Sequence, residues 1–355
     1  MCHSRTHALA VLLGISLVLA SSAAMAQYQL TDLTSNQVKW AHHLDPLLVN
    51  GWGLVHGPGT PWWVADEASG WSTLYDGAGN VEGLKVLVPT EGNGPSSPTG
   101  LNGPGSPTGI VFNGSPEFQV GGWPSLFLFA TMDGTISGWA PQTNRNEAIV
   151  APLQNQPAGA SYTGLAITHK ASGNFLYAAD IANSQVEIFD ANFNFVSAFT
   201  DPTLPAGVAP FGVRDINGIV YVTFAPVDES NAGWVEQFRE DGTPVSPGKP
   251  LISGHPLDQP WGIAGAPSNF GPLSNTLLIA NNTNASTINA FDPFTGKFVG
   301  TLKDTNGKAI VIDQLWGIDF GDGLGKNGAA NQLFFAAGPA GNLTGSFGRI
   351  VFVKP

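Results

Sequence analysis

Six times in this chain a bulky or β-branched residue, a glycine and a branched aliphatic stand in a row: Trp52-Gly53-Leu54, Thr108-Gly109-Ile110, Thr163-Gly164-Leu165, Phe211-Gly212-Val213, Trp261-Gly262-Ile263 and Trp316-Gly317-Ile318. Successive glycines lie 56, 55, 48, 50 and 55 residues apart. A unit that recurs every fifty residues or so buries its apolar faces by packing on copies of itself, so the period marks a repeat architecture. Four short strands with their turns fill that length, which is the content of one propeller blade.

Each repeat carries the same internal order. A short loop after the glycine motif leads into an apolar run that ends on small residues, such as Phe175-Leu176-Tyr177-Ala178-Ala179 or Leu333-Phe334-Phe335-Ala336-Ala337. Runs of this kind, bounded by Gly, Pro, Asn and Asp, read as strands buried on both faces. A third segment, as in Gln185-Val186-Glu187-Ile188-Phe189, partly alternates polar and apolar residues and ends on an aromatic, as a strand nearer the rim does. Outer strands are legible at 193–199 and 297–302, but the sixth repeat stops after its third strand. Residues 28–33 form an orphan strand ahead of the first repeat, and pairing it into the last blade closes the ring and removes two open edges. The prediction is an all-β chain, with one six-bladed β-propeller over residues 27–355. Each blade has four antiparallel strands, repeats begin near 50, 106, 161, 209, 259 and 314, and the N-terminal strand closes the last blade. Ser97-Pro98-Thr99-Gly100-Leu101 nearly duplicates the start of the second repeat, but Asn102-Gly103-Pro104-Gly105 breaks it, so residues 91–105 read as a connector between blades one and two.

Residues 1–26 have the pattern of a secretory leader: Arg5, an apolar run over 8–20, then Ala24-Met25-Ala26 with small residues where a signal peptidase reads. The mature chain is expected to begin at Gln27, to be exported to the periplasm or beyond, and to act as a monomer free of the membrane. Its only cysteine, Cys2, leaves with the leader, so thiol nucleophiles, cysteine metal sites and disulfides are excluded from the mature protein. A net charge of -12, with no basic cluster, argues against nucleic acid as a partner.

In a propeller the turns leading into the inner strands share one face with the turns joining second and third strands, so residues distant in sequence gather there. That face is expected to form a polar, acidic axial mouth that takes a small molecule, a saccharide or a protein. Asn50, Asp66, Asp180 and Asn281 supply oxygen donors that suit Ca²⁺, although Asp and Asn at strand ends also hold their own turns. Trp52, Trp261 and Trp316, with Phe211, occupy equivalent places in four blades, either filling the wedge between blades or offering a ring to a flat ligand. Gln259 and Gln314 stand at the same mouth. Arg214 follows Phe211-Gly212-Val213 on an apolar inner strand, placed to anchor an anionic ligand or to pair with Asp215 or an acid of a neighbouring blade. His255 is the one histidine expected at the mouth and, with Asp180, the candidate for acid–base chemistry. His56 and His169 follow inner strands and are expected on the opposite face. Neither HExxH nor Gly-x-Ser-x-Gly occurs.

The stretch Ala179-Asp180-Ile181-Ala182-Asn183-Ser184-Gln185-Val186-Glu187-Ile188-Phe189-Asp190 resembles the core of an NHL repeat, with weaker copies starting at Ala65-Asp66 and Ala280-Asn281. On Pro260-Trp261-Gly262-Ile263 with Asn281-Asn282, and on Leu315-Trp316-Gly317-Ile318-Asp319-Phe320-Gly321, the mature chain is also similar to a family of exported bacterial six-bladed propellers from species with the PEP-CTERM sorting system. That resemblance implies a fold and export and carries no set activity. Gluconolactonase-like propellers hold a divalent cation with an acid, an Asn and an Asp. Asn50 matches the Asn and Asp180 or Asp66 the Asp, while the first acid has no counterpart here. Amidating-lyase propellers use several histidines on zinc, where this chain offers His255. Two functions follow: a binding protein, or a divalent-cation-dependent hydrolase of lactonase type or lyase at the same mouth.

Overall fold

Six sheets arranged around one axis, with a small two-stranded hairpin at 119–124, make up the computed structural model, which describes residues 27–90, 104–169 and 173–354. The expected leader and the near-duplicate motif at 97–101 lie outside the described residues. The inner strands are Gly51–Val55, Pro107–Phe112, Tyr162–Thr168, Val208–Ile216, Pro260–Gly265 and Leu315–Phe320, one per blade. Blades one to five each run outward through four antiparallel strands in chain order. The chain is thus a six-bladed β-propeller. No helix among the described residues is long and apolar enough to cross a membrane.

Blade six is closed as the orphan strand predicts. Gln27–Ser35 pairs antiparallel with Ser346–Val353, from Gln27 opposite Val353 to Ser35 opposite Ser346, with a bulge between Asp32 and Thr34. A short parallel strand, His43–Leu44, is added outside it.

The six motif glycines explain the ring. None has a positive φ, so turn geometry is not what selects them. Each lies against the backbone of the next blade's inner strand. A Cβ at Gly53 would stand 2.4 Å from the Thr108 carbonyl oxygen, at Gly109 2.2 Å from the Leu165 nitrogen, and at Gly212 2.3 Å from the Trp261 carbonyl oxygen. Gly262 faces Trp316 and Gly317 faces Trp52 in the same way, which returns the circle to blade one. Gly164 is the loosest, at 3.3 Å from the Phe211 carbonyl oxygen. Beside each glycine the inner strand loses register with the second strand, a bulge that turns the preceding side chain toward the axis. A second six-fold contact locks each blade: the N–H of Glu67, Met132, Ile181, Val227, Asn282 and Gly338 donates to the carbonyl of Asn50, Ser106, Ser161, Gly207, Gln259 and Gln314.

Between the sheets the apolar runs interdigitate, as where Trp63 stacks on Phe127 at 4.0 Å between blades one and two. Loops after some inner strands lean outward over the next blade: Phe118 packs on Phe193, Phe270 on Tyr28, and Trp62 Nε1 donates to the Asn327 carbonyl at 2.9 Å. Buried polar side chains sit on the third strands. Glu187 accepts hydrogen bonds from the Tyr162 hydroxyl at 2.7 Å and Gln185 Nε2 at 3.1 Å, and burial pushes its carboxyl up to about 7. At the equivalent place in blade four, burial and then the neighbouring Asp201 carboxylate push Glu236 up to about 8.

Two tests follow. Gly109→Ala forces a methyl into backbone and is expected to cost about 3 kcal/mol, whereas Gly83→Ala, with nothing within 4 Å of its added Cβ, leaves the denaturation midpoint nearly unchanged. Glu187 and Glu236 hold their protons in the fold to higher pH than the ordinary glutamate value of about 4.3 in the unfolded chain. Their contribution is therefore full below that value and is lost as pH rises through about 7 and 8. Urea midpoints are expected to fall between pH 5.5 and 8.5, and to fall less in Glu236→Gln.

Candidate functional site

At the end where the inner strands begin, the axis is filled. Trp52 and Trp316 stack with centroids 3.7 Å apart, Trp261 meets them edge-on at 6.3 and 5.9 Å, and Phe211 adds an edge contact to Trp316 at 5.7 Å. These are the bulge residues of blades one, six, five and four. Blades two and three carry Thr108 and Thr163 there, whose hydroxyls turn back onto backbone carbonyls and leave room for the wide rings. Trp316 Nε1 donates to Asn50 Oδ1 and Trp261 Nε1 reaches the Thr163 carbonyl, both at 2.9 Å. The rings expected between blades, or open at a mouth, instead pack on one another as an axial plug, because the bulges aim them inward.

The polar residues placed at this end are engaged in its turns. Asn50, at φ 51, also donates from Nδ2 to Glu67 at 2.9 Å. Asp66 is fully buried; its Oδ2 accepts from the Thr73 backbone and hydroxyl, and burial pushes its carboxyl well above the usual range. Asp180 Oδ1 accepts from the N–H of Ser161, Ala182 and Asn183. Asn281 bridges the Pro256 carbonyl and the Asp258 N–H. Gln259 donates to the Ser230 carbonyl at 3.0 Å and Gln314 to Asn284 Oδ1 at 2.8 Å. His255 is exposed on the loop before blade five, near the Asp258 carboxylate. Asn50, Asp66, Asp180, Asn281, Gln259 and Gln314 thus each hold hydrogen-bond partners of their own. Among the described residues, no group of three or more His, Asp and Glu side chains is placed to hold a metal ion.

The open part of the axis lies on the other side of the plug. A cavity of about 400 Å³ runs from Trp261 and the motif glycines to the far ends of the inner strands, where His56 and the exposed His169 stand. The face left out of the sequence-based site is therefore the accessible one. Val55, Ile110, Leu165, Val213, Ile263 and Ile318 give the cavity an aliphatic wall. Across it, Arg214 of blade four meets Asp319 of blade six at 2.5 Å. The partner is neither Asp215 nor an acid of an adjoining blade, because the narrow channel lets the long guanidinium span two blades. Asp319 Oδ1 also accepts the Phe320 N–H at 2.8 Å, which fixes the carboxylate. His56 is held by the Phe320 carbonyl, 2.9 Å from Nε2, and lies edge-on to Trp62 at 4.6 Å.

Asp319 escaped the sequence-based selection, yet a signal for it exists. Two residues after the motif glycine stand Val55, Val111, Ala166, Arg214, Ala264 and Asp319. Only blades four and six carry a charge there, and the charges are opposite.

No protein-family model matches this chain. It is 29% identical over 349 residues to the uncharacterized protein R648 of Acanthamoeba polyphaga mimivirus, covering 92% of this chain and 81% of that protein. Among solved structures it resembles a streptogramin B lyase, with a TM-score of 0.52 and 13% identity over 94% of this chain and 100% of that one. It also resembles a chain of the COPII outer coat vertex on membranes, with a TM-score of 0.51 and 13% identity over 83% of this chain and 67% of that one. At such identity an enzyme and a coat component share the fold alone.

The plug predicts that Trp316→Ala costs about 3–5 kcal/mol, as for other buried aromatics. Trp123→Ala, at 50% exposure on a surface hairpin, is expected to stay within about 0.5 kcal/mol. Urea denaturation of the two variants checks the contrast.

Proposed function

We propose that this propeller is a binding protein that seats a small molecule in its axial cavity, entering from the face of His56 and His169 and stopping at the aromatic plug. One observation carries the reading: a charged pair from two non-adjacent blades meets across a cavity whose wall is mostly aliphatic side chains and glycines. Partly solvated ion pairs add little stability, and an apolar pair in the same place would pack as well. A closed floor, an apolar wall and a few convergent polar groups are what a small-molecule site requires, and about 400 Å³ lies within the usual size range. We place the binding outside the cytoplasm, in keeping with the leader pattern in residues 1–26.

The test is a thermal-shift screen of a small-molecule library against the wild type and Ile167→Trp, which puts an indole into the cavity wall. A ligand at a hundredfold excess over its Kd adds about 2.7 kcal/mol to the fold. Hits are expected to stabilise the wild type and leave Ile167→Trp unmoved. Hits that stabilise both proteins equally would sink the cavity as the site.

A further inference from the structure

We infer that the ligand of the axial cavity is a monocarboxylate with an apolar body, its carboxylate held by Arg214; this rests on the cavity being the binding site. The free donors of Arg214 point to this ligand class. Asp319 already holds an N–H on each oxygen, from Arg214 and from Phe320. Asp215 beside it has a partner of its own. His56 is committed to the Phe320 carbonyl, and the indole N–H of Trp261 to the Thr163 carbonyl. Arg214 is different. Of the five N–H groups of a guanidinium, one is given to Asp319, and the others meet no acceptor among the described residues. Its side chain is 34% exposed and lines the cavity.

The guanidinium therefore keeps donor capacity, arranged in a planar fork that matches two oxygens of a carboxylate. Asp319 keeps the fork in place before a ligand arrives, which lowers the ordering cost of binding. A single guanidinium already shared with Asp319 suits one negative charge better than two, which favours a carboxylate over a phosphate monoester. The aliphatic wall takes the rest of the molecule.

Isothermal titration with phenylacetate and hexanoate tests this against phenylacetamide, 2-phenylethanol, phenethylamine and phenyl phosphate. The carboxylates are expected to bind at least tenfold tighter than the amide, the alcohol, the amine and the phosphate. Arg214→Ala is expected to remove at least tenfold of carboxylate affinity while leaving the alcohol's unchanged. Should that variant fold poorly, Arg214→Lys, which keeps the charge and loses the fork, is expected to narrow the carboxylate-to-amide ratio. Equal or tighter binding of the amine or the phosphate overturns the carboxylate assignment, as does failure of both carboxylates to bind. If neutral probes bind and lose binding in Ile167→Trp, the cavity stands and only the carboxylate falls. Carboxylate binding that survives Ile167→Trp overturns the cavity itself.

Discussion

Backbone lying on backbone around the axis is the contact on which the rest of this propeller depends. Each inner strand approaches the next so closely at the motif glycine that a Cβ there would meet main-chain atoms at 2.2 to 2.8 Å in five of the six blades. Main chain cannot move aside as a flexible side chain can, so only glycine is admitted. The six contacts set the radius of the ring, and the ring in turn requires that the first and last blades meet. The strand Gln27–Ser35 completes the blade that does so.

The same contact creates the inner surface. Where the strand bulges beside the glycine, one side chain per blade turns toward the axis, and there is room for about four large ones. Trp52, Phe211, Trp261 and Trp316 take that space, and Thr108 and Thr163 yield it. Below this plug the wall is mostly aliphatic, with Arg214, Asp215 and Asp319 as its charged residues and His56, His169 and Phe112 at the far ends of the inner strands. A channel through the ring thus becomes a cup with an aromatic floor and one charged pair in its wall. The proposed small-molecule binding rests on that shape, while on the plugged face Asn50, Asp180, Asn281, Gln259 and Gln314 hold hydrogen bonds to neighbouring loops.

Much of this was legible in the residues alone. The spacing of the glycines defines six blades, and the missing outer strand of the sixth repeat points to residues 28–33. Asp180, offered as a cation ligand or a turn holder, accepts N–H groups of its own turn as a strand-end Asx side chain commonly does, whereas Asn281 reaches the distant loop at Pro256 and Asp258, which its local sequence does not show. Less was legible of the site. Trp261 and Arg214 were singled out as individuals, and the structure does place both on the cavity. His56 and His169 were placed on the opposite face, where they stand, but with no role there, and Asp319 was not singled out, since each becomes relevant only once the open end of the axis is known.

What the sequence determined by itself is the ring: a close-approach glycine every fifty residues or so and a run of strands between, signals that are local and repeat six times. What the tertiary structure decided is which end of that ring is open and who meets across it. A one-dimensional pattern shows that six side chains point inward. It does not show how indoles of different blades tilt to fill a shared space, nor that Arg214 passes over a blade to reach a carboxylate 105 residues away. Those outcomes depend on side-chain volume and reach summed around a closed circle, which exists only after the last strand has joined the first.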